Sequence, residues 1–208
     1  MRLLIVGDSH CHDMDSIVVD TITSAQVYSV IVGGQIMPII SKYREALQNI
    51  VEFDPDFVLL HLGHNEMARH LTKNVIPSIS RDIAIQTLTF AREISTNFPS
   101  ATICISAIFP RTFTPRSYLS IPEVANFNKD ADRHALRLRK QATEAGFLCV
   151  MNNPIWRRIS KSEEDPTFFL PDGYHLNTTA KRTIAKEWLL SLGVLPADLR
   201  TLPNDNTA

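Results

Sequence analysis

Ser9, Asn65, Asp172 and His175 are four side chains whose types and settings suit a single reaction. Acyl transfer needs a nucleophile, a base to take its proton, a group to orient the base, and donors for the oxyanion. Ser9 ends the tripeptide Gly7-Asp8-Ser9 just after the apolar run Leu3-Leu4-Ile5-Val6, where a hydroxyl can face a cleft. Asp172-Gly173-Tyr174-His175 places an acid and a base three residues apart in a turn. At that spacing the carboxylate can hold the imidazole's tautomer while the imidazole faces Ser9. Asn65, in Gly63-His64-Asn65-Glu66, offers an amide NH2 to an oxyanion. Gly33 or Gly34 offers a bare backbone N–H that substrate can approach closely. Asp8 reads as a support of its turn through backbone hydrogen bonds.

These residues need elements that bring them together. Leu3 to Val6, Val27 to Val32, Phe57 to Leu62, Ala101 to Ala107 and Phe147 to Met151 read as five short strands. The first is apolar throughout, as in strands buried on both faces of a parallel sheet. Apolar residues at helical spacing mark helices over Ile39 to Val51, Ser80 to Phe98, Val124 to Ala145 and Leu176 to Leu192. Pro38 suits a first helical turn, Ser80 an N-cap, and Gly146 a helix stop. Strands alternating with helices predict an α/β fold, a three-layer α/β/α sandwich with a five-stranded parallel sheet in a flavodoxin-like layout. Ligands of such sheets sit at the carboxyl ends of the strands near the switch in strand order. Ser9, Gly33-Gly34 and Asn65 each follow a predicted strand. The stretches Phe109 to Pro122 and Asn152 to Pro171 read as long loops, and residues 196–208 as a polar, frayed tail to a domain covering residues 1–195.

With 208 residues, the chain suits one domain with a full core. The formal net charge of -1 calls for no nucleic-acid or anionic-membrane partner. No apolar run approaches the roughly 20 residues that span a bilayer. The short apolar opening is a strand rather than a signal sequence. Cys11, Cys104 and Cys149 are an odd, scattered set and read as reduced thiols of an intracellular, cytoplasmic protein. A chain that enters its first core strand at residue 3 reads as a domain cut from a longer protein.

Taken in order, Gly7-Asp8-Ser9, a glycine after strand two, Gly63-His64-Asn65-Glu66 and Asp172-Gly173-Tyr174-His175 resemble the four blocks of SGNH (GDSL-like) hydrolases. The resemblance runs from residue 3 to about residue 192. It implies a serine esterase with Ser9 as nucleophile, His175 as base and Asp172 as its orienter. It implies an oxyanion hole of the Ser9 N–H, the Gly34 N–H and the Asn65 side chain, with Gly33 an alternative to Gly34. It implies no metal or organic cofactor. Two positions depart from the family pattern: His10 replaces an apolar residue after the serine, and Glu66 replaces an aspartate after the asparagine. Gly7-Asp8-Ser9-His10 and Leu62 to Glu66 also resemble esterase domains of first-open-reading-frame proteins of non-LTR retrotransposons. That implies acetyl or short acyl esters, a lipid connection, and a nucleic-acid-binding region outside this domain, with no direct nucleic-acid contact by the domain itself. A small ester substrate is the expected partner, with a lipid surface and a homodimer left open.

Other readings compete. His10, His12, His61, His64 and His70 invite a metal-dependent phosphoesterase. But His64 precedes Asn65 where that pattern needs the reverse, and the second-metal aspartate and the late Gly-His-x-His block are missing. His61 reads as half-buried strand packing and His64 as a shaper of the pocket. A binding module for lipid or carbohydrate on the same fold is the third reading. Phe109, Arg111, Phe113, Arg116 and Tyr118 read as a solvated loop, with a lid or lipid contact as the alternative. Arg133, Arg137, Arg139 and Lys140 read as a solvated basic helix face, and Cys11 as a packed thiol.

Overall fold

The computed structural model describes residues 1–72, 79–159 and 166–195. The tail expected over 196–208 lies outside the described residues, as does the side chain of His70. Five strands form one parallel sheet: β1 (Arg2–Gly7), β2 (Gln26–Ile31), β3 (Phe57–His61), β4 (Thr102–Ser106) and β5 (Leu148–Val150), in the order β2-β1-β3-β4-β5. The order reverses between β1 and β3, so their carboxyl ends flank the switch point. Gly7 pairs in register with His61 there.

Each strand alternates its side chains between two cores. Leu4, Val6, Val58, Leu60 and Ile105 face one side, and Leu3, Ile5, Leu59 and Cys104 the other. On the first side pack α2 (Ile36–Glu45), α3 (Leu47–Phe53), α4 (His64–Thr72), α5 (Ile79–Asn97) and α6 (Ile121–Glu144). On the second pack α1 (Met14–Thr21), α7 (Asn153–Ile159) and α8 (Thr178–Ser191). The predicted strands and three-layer architecture are all present. Among the described residues, no helix is long and apolar enough to cross a membrane.

Several elements differ from expectation. The helix read over Ile39 to Val51 is two helices that meet at Ala46. Ser80 is no N-cap; it lies inside α5, buried, and its Oγ accepts a hydrogen bond from Arg137 at 2.8 Å. That bond and the Arg133–Asp130 pair at 3.1 Å give half of the basic face of α6 local partners. α1, α4 and α7 have no apolar stripe long enough to announce them. α6 does carry the sequence features of its ends: a capping box between Ser120 and Glu123, and Gly146 just beyond its last turn at φ +79°.

The stretch from Phe109 to Ser120 is irregular, as expected, but it is not a solvated loop. Phe109, Arg111, Thr112 and Thr114 are buried. Three bonds strap it to the turn that carries Asp172. Thr112 N–H donates to Gly173 O at 3.2 Å, Thr114 Oγ1 to Pro171 O at 2.6 Å, and Ser117 Oγ to Asp172 O at 3.1 Å. The Arg111 guanidinium is sandwiched between the rings of Tyr174 (3.8 Å) and Phe127 (4.3 Å). Ring quadrupoles attract a cation at such distances and offset part of its desolvation.

A second buried network ties the last helix to the sheet. Trp188 of α8 donates Nε1–H toward Ser106 Oγ (3.2 Å) and Asn152 Oδ1 (3.3 Å). Asn152 Nδ2 donates to Ser106 Oγ (3.0 Å) and Ala107 O (2.6 Å). His61 Nδ1 shares Ser106 Oγ at 3.1 Å. His61 is fully buried rather than half-buried, because this network satisfies one of its nitrogens at the end of β3.

Candidate active site

Gly7 ends β1 where its strand must pass close beneath the next turn. A Cβ there would sit 2.3 Å from Cys11 Sγ, so only glycine fits. Asp8 then caps the 3₁₀ turn Ser9–Cys11: its Oδ1 accepts from the His10 N–H at 3.0 Å. This is the turn-supporting role read from the sequence. Asp8 is fully buried, and burial pushes its carboxyl up to about 7 against the pull of the His10 N–H. Cys11 is buried and its thiol pKa is raised by burial, which matches a packed thiol.

The turn leaves Ser9 Oγ 3.1 Å from His175 Nε2. His175 Nδ1 lies 2.8 Å from Asp172 Oδ2. The other oxygen, Oδ1, accepts the backbone N–H groups of Tyr174 (2.8 Å) and His175 (3.0 Å). One carboxylate thus shapes the turn and orients the ring. Burial would raise the Asp172 pKa, but these three bonds outweigh it and hold the carboxyl below its usual value. Gly173 supplies the left-handed φ of +67° that the turn requires. The turn closes with Leu170 N–H donating to His175 O at 2.8 Å, and α8 follows, capped by Asn177 Oδ1 on the Ala180 N–H at 3.0 Å.

Asn65 lies in the first turn of α4, across the switch point. Its Nδ2 donates to Gly34 O at 2.6 Å, and its Oδ1 accepts from the Tyr174 hydroxyl at 3.0 Å. These partners fix which way the amide faces. Gly34, not Gly33, is the glycine brought to Asn65, and it holds φ +130°. Glu66 pins a neighbouring helix. Its Oε1 accepts from the Ile36 N–H at the start of α2, tying the helix that leaves the glycine pair to α4. A cleft of about 440 Å³ opens beside Gly34 and Asn65, lined also by Gln35, Pro38, Ala68, Arg69 and Tyr118. That size is typical of small-molecule sites.

Behind the turn that carries Asp172 and His175 stands a wall of imidazoles. His10 stacks on His64 with centroids 4.0 Å apart, meets Tyr174 edge-on at 4.5 Å, and lies 5.2 Å from His175. All three of His10, His61 and His64 are buried, and burial lowers the pKa of each, His61 to about 3. His64 Nε2 accepts the Phe109 N–H at 2.9 Å, so it anchors the strapping loop. Among the described residues, no group of three or more His, Cys, Asp or Glu side chains is placed to hold a metal ion. The sequence reading missed Tyr174 and Arg111. Tyr174 stands within Asp172-Gly173-Tyr174-His175, and its aromatic ring between the acid and the histidine was the available signal. Nothing in the sequence foretold the burial of Arg111.

No family model matches the sequence, and a search of curated proteins finds no match. Solved structures do match. A catalytic mutant of Axe2, an acetylxylan esterase from Geobacillus stearothermophilus, superposes with a TM-score of 0.67 at 12% identity, over 93% of this chain and 94% of that one. A Parabacteroides merdae protein provisionally described as a GDSL-like lipase gives 0.64 at 13% identity, over 93% and 96%. LAE5, an α/β hydrolase enzyme from the metagenome of Lake Arreo, Spain, gives 0.63 at 15% identity, over 94% and 96%. The chain shares their fold: a five-stranded parallel sheet between helices, matched almost from end to end.

Proposed function

We propose that this chain is a serine esterase that hydrolyses acetyl or short acyl carboxylic esters through an acyl-enzyme. The observation that carries this reading is the line from Asp172 through His175 to Ser9, at 2.8 Å and 3.1 Å. Ser9 Oγ attacks the ester carbonyl carbon while His175 Nε2 takes its proton. The carbonyl oxygen becomes an oxyanion, met by the Ser9 and Gly34 N–H groups and the second N–H of Asn65 Nδ2. The tetrahedral adduct collapses, the C–O bond to the alcohol breaks, and His175 returns the proton to the alcohol. Water then attacks the acyl-Ser9 carbonyl, giving up its proton to His175, and the acid leaves as Ser9 recovers its hydrogen. Asp172 keeps the imidazole oriented throughout.

For the alcohol, a carbohydrate or a lipid fits this reading. Gln35, Arg69 and Tyr118 give the cleft polar and aromatic walls that suit a hydroxylated group. The names of several fold neighbours as acetylxylan esterases favour the same side. The resemblance of residues 7–10 and 62–66 to retrotransposon esterase domains favours a lipid ester instead. The test is hydrolysis of p-nitrophenyl acetate and longer-chain analogues by wild type and Ser9→Ala, with and without EDTA. Turnover that resists EDTA and vanishes in Ser9→Ala supports the reading. Equal turnover by both proteins sinks it, and loss on EDTA favours the metal-dependent alternative. Acetylated xylo-oligosaccharides against acetylated glycerolipids then separate the two alcohols.

A further inference from the structure

The Tyr174 ring has an aromatic or cationic neighbour on each side that the site offers. Arg111 lies 3.8 Å from its centroid, His10 meets it edge-on at 4.5 Å, and the His175 ring is 4.4 Å away. Its backbone is fixed by the Asp172 carboxylate. With the ring so held, its hydroxyl donates to Asn65 Oδ1 at 3.0 Å. Burial raises the phenol's pKa. The hydroxyl therefore meets the amide as a neutral donor.

An asparagine amide has two donors and one acceptor oxygen. In Asn65 one N–H is taken by Gly34 O and the oxygen by Tyr174, which leaves one N–H for a ligand. A free amide can rotate about χ2, a soft torsion. An amide bonded at both ends cannot, and a donor that need not reorganise is what makes an oxyanion site effective. We propose that Tyr174 is a positioning residue. Its hydroxyl holds the Asn65 amide with its last N–H facing the reacting carbonyl, and Arg111 holds the Tyr174 ring from behind. This rests on the esterase reading for its purpose, but the geometry can be tested without it.

The experiment pairs kinetics with exchange of the side-chain amide. Tyr174→Phe keeps every ring contact and removes one hydroxyl. On p-nitrophenyl acetate it should lower kcat about tenfold with KM within about twofold, the size expected for misplacing a donor rather than deleting it. In an Asn65→Ala background the same change should have no further effect, because the positioned group is gone. By NMR, the Asn65 Nδ2 protons should exchange at least tenfold more slowly than those of exposed Asn49 in the wild type, and Tyr174→Phe should erase most of that protection. An unchanged kcat, multiplying effects of the two substitutions, or exchange at Asn65 that ignores Tyr174 would each overturn the proposal. If wild type and Ser9→Ala prove equally inactive, the esterase reading falls, and the exchange measurement alone decides on Tyr174.

Discussion

His10 and His64 lie face to face, ring centroids 4.0 Å apart and 27° from parallel, both buried from solvent. Two stacked imidazoles cannot both be charged in such a place. With His61 and His134 they make four buried histidines whose pKa values all fall, to about 3 for His61 and about 4 for His134.

Stability should therefore depend on pH in a definite direction. A histidine lowered on folding contributes stability that is complete above its unfolded value, near 6.5, and is lost as pH falls through its folded value. Asp8, raised to about 7, acts the other way: its contribution is complete below about 4 and is lost as pH rises through 7. At pH 5 unfolding should charge four imidazoles and release the Asp8 proton, a net uptake of about three protons. Urea midpoints should climb steeply from pH 5 to 6.5 and flatten above it. Asp8→Asn should steepen the climb. A midpoint independent of pH between 5 and 6.5 would contradict the buried neutral wall.

Asp172 has two duties, and two substitutions separate them. Asp172→Asn keeps an oxygen for the Tyr174 and His175 N–H groups but offers His175 the wrong partner. It should lower kcat by about 10²–10⁴ with little change in melting. Asp172→Ala should add a stability loss of about 1–3 kcal/mol, because the two N–H groups lose their acceptor. Equal melting temperatures for both variants would show that the carboxylate does not shape the turn.

Gly173→Ala asks for two things the turn cannot give. The residue sits at φ +67°, and a Cβ would fall 2.3 Å from Thr112 O and 2.5 Å from Ser117 Oγ. Both atoms belong to the loop that straps the turn. The variant should fold with a stability loss of about 1–3 kcal/mol and with Asp172 and His175 displaced. Its kcat should drop by at least about 10², the scale of an ångström's misplacement. Denaturant unfolding and single-substrate kinetics on one preparation read both effects.

Asn65→Ala removes the proposed oxyanion donor and should lower kcat by about 10²–10³. Asn65→Asp should be worse at neutral pH, since it sets an anion beside Gly34 O and the forming oxyanion. If Asn65→Ala keeps more than half of wild-type kcat, the oxyanion site lies elsewhere.

The sheet, and the places of Ser9 and Asn65 at its carboxyl edge, were legible in the sequence for one reason. Parallel strands buried on both sides read as unbroken apolar runs, and Ser9 and Asn65 stand just past the ends of two of them. Leu3 to Val6 followed by Ser9, and Phe57 to Leu62 followed by Asn65, show this directly. Short helices such as α4 were not legible, because His64–Thr72 carries few apolar residues and is held by tertiary contacts. The loop after β4 misled for a related reason. Arg111 looks like a surface residue until Phe127 and Tyr174, distant in sequence, close over both faces of its guanidinium. Such a sandwich leaves no local pattern. Glu66 looked like a departure from the family block and proved to be a pin on α2.

Ser9 and His175 meet across 166 positions of sequence, one after the first strand and the other just before α8. α8 packs beside α1, and Lys181 Nζ donates to His12 O at 2.8 Å next to the turn that holds Ser9. Folding must therefore close one of the longest loops in the domain before Ser9 and His175 can meet. In a refolding time course, helix content and sheet pairing should return ahead of any hydrolytic power. On the proposed chemistry, the return of hydrolysis during refolding would report when α8 docks against α1.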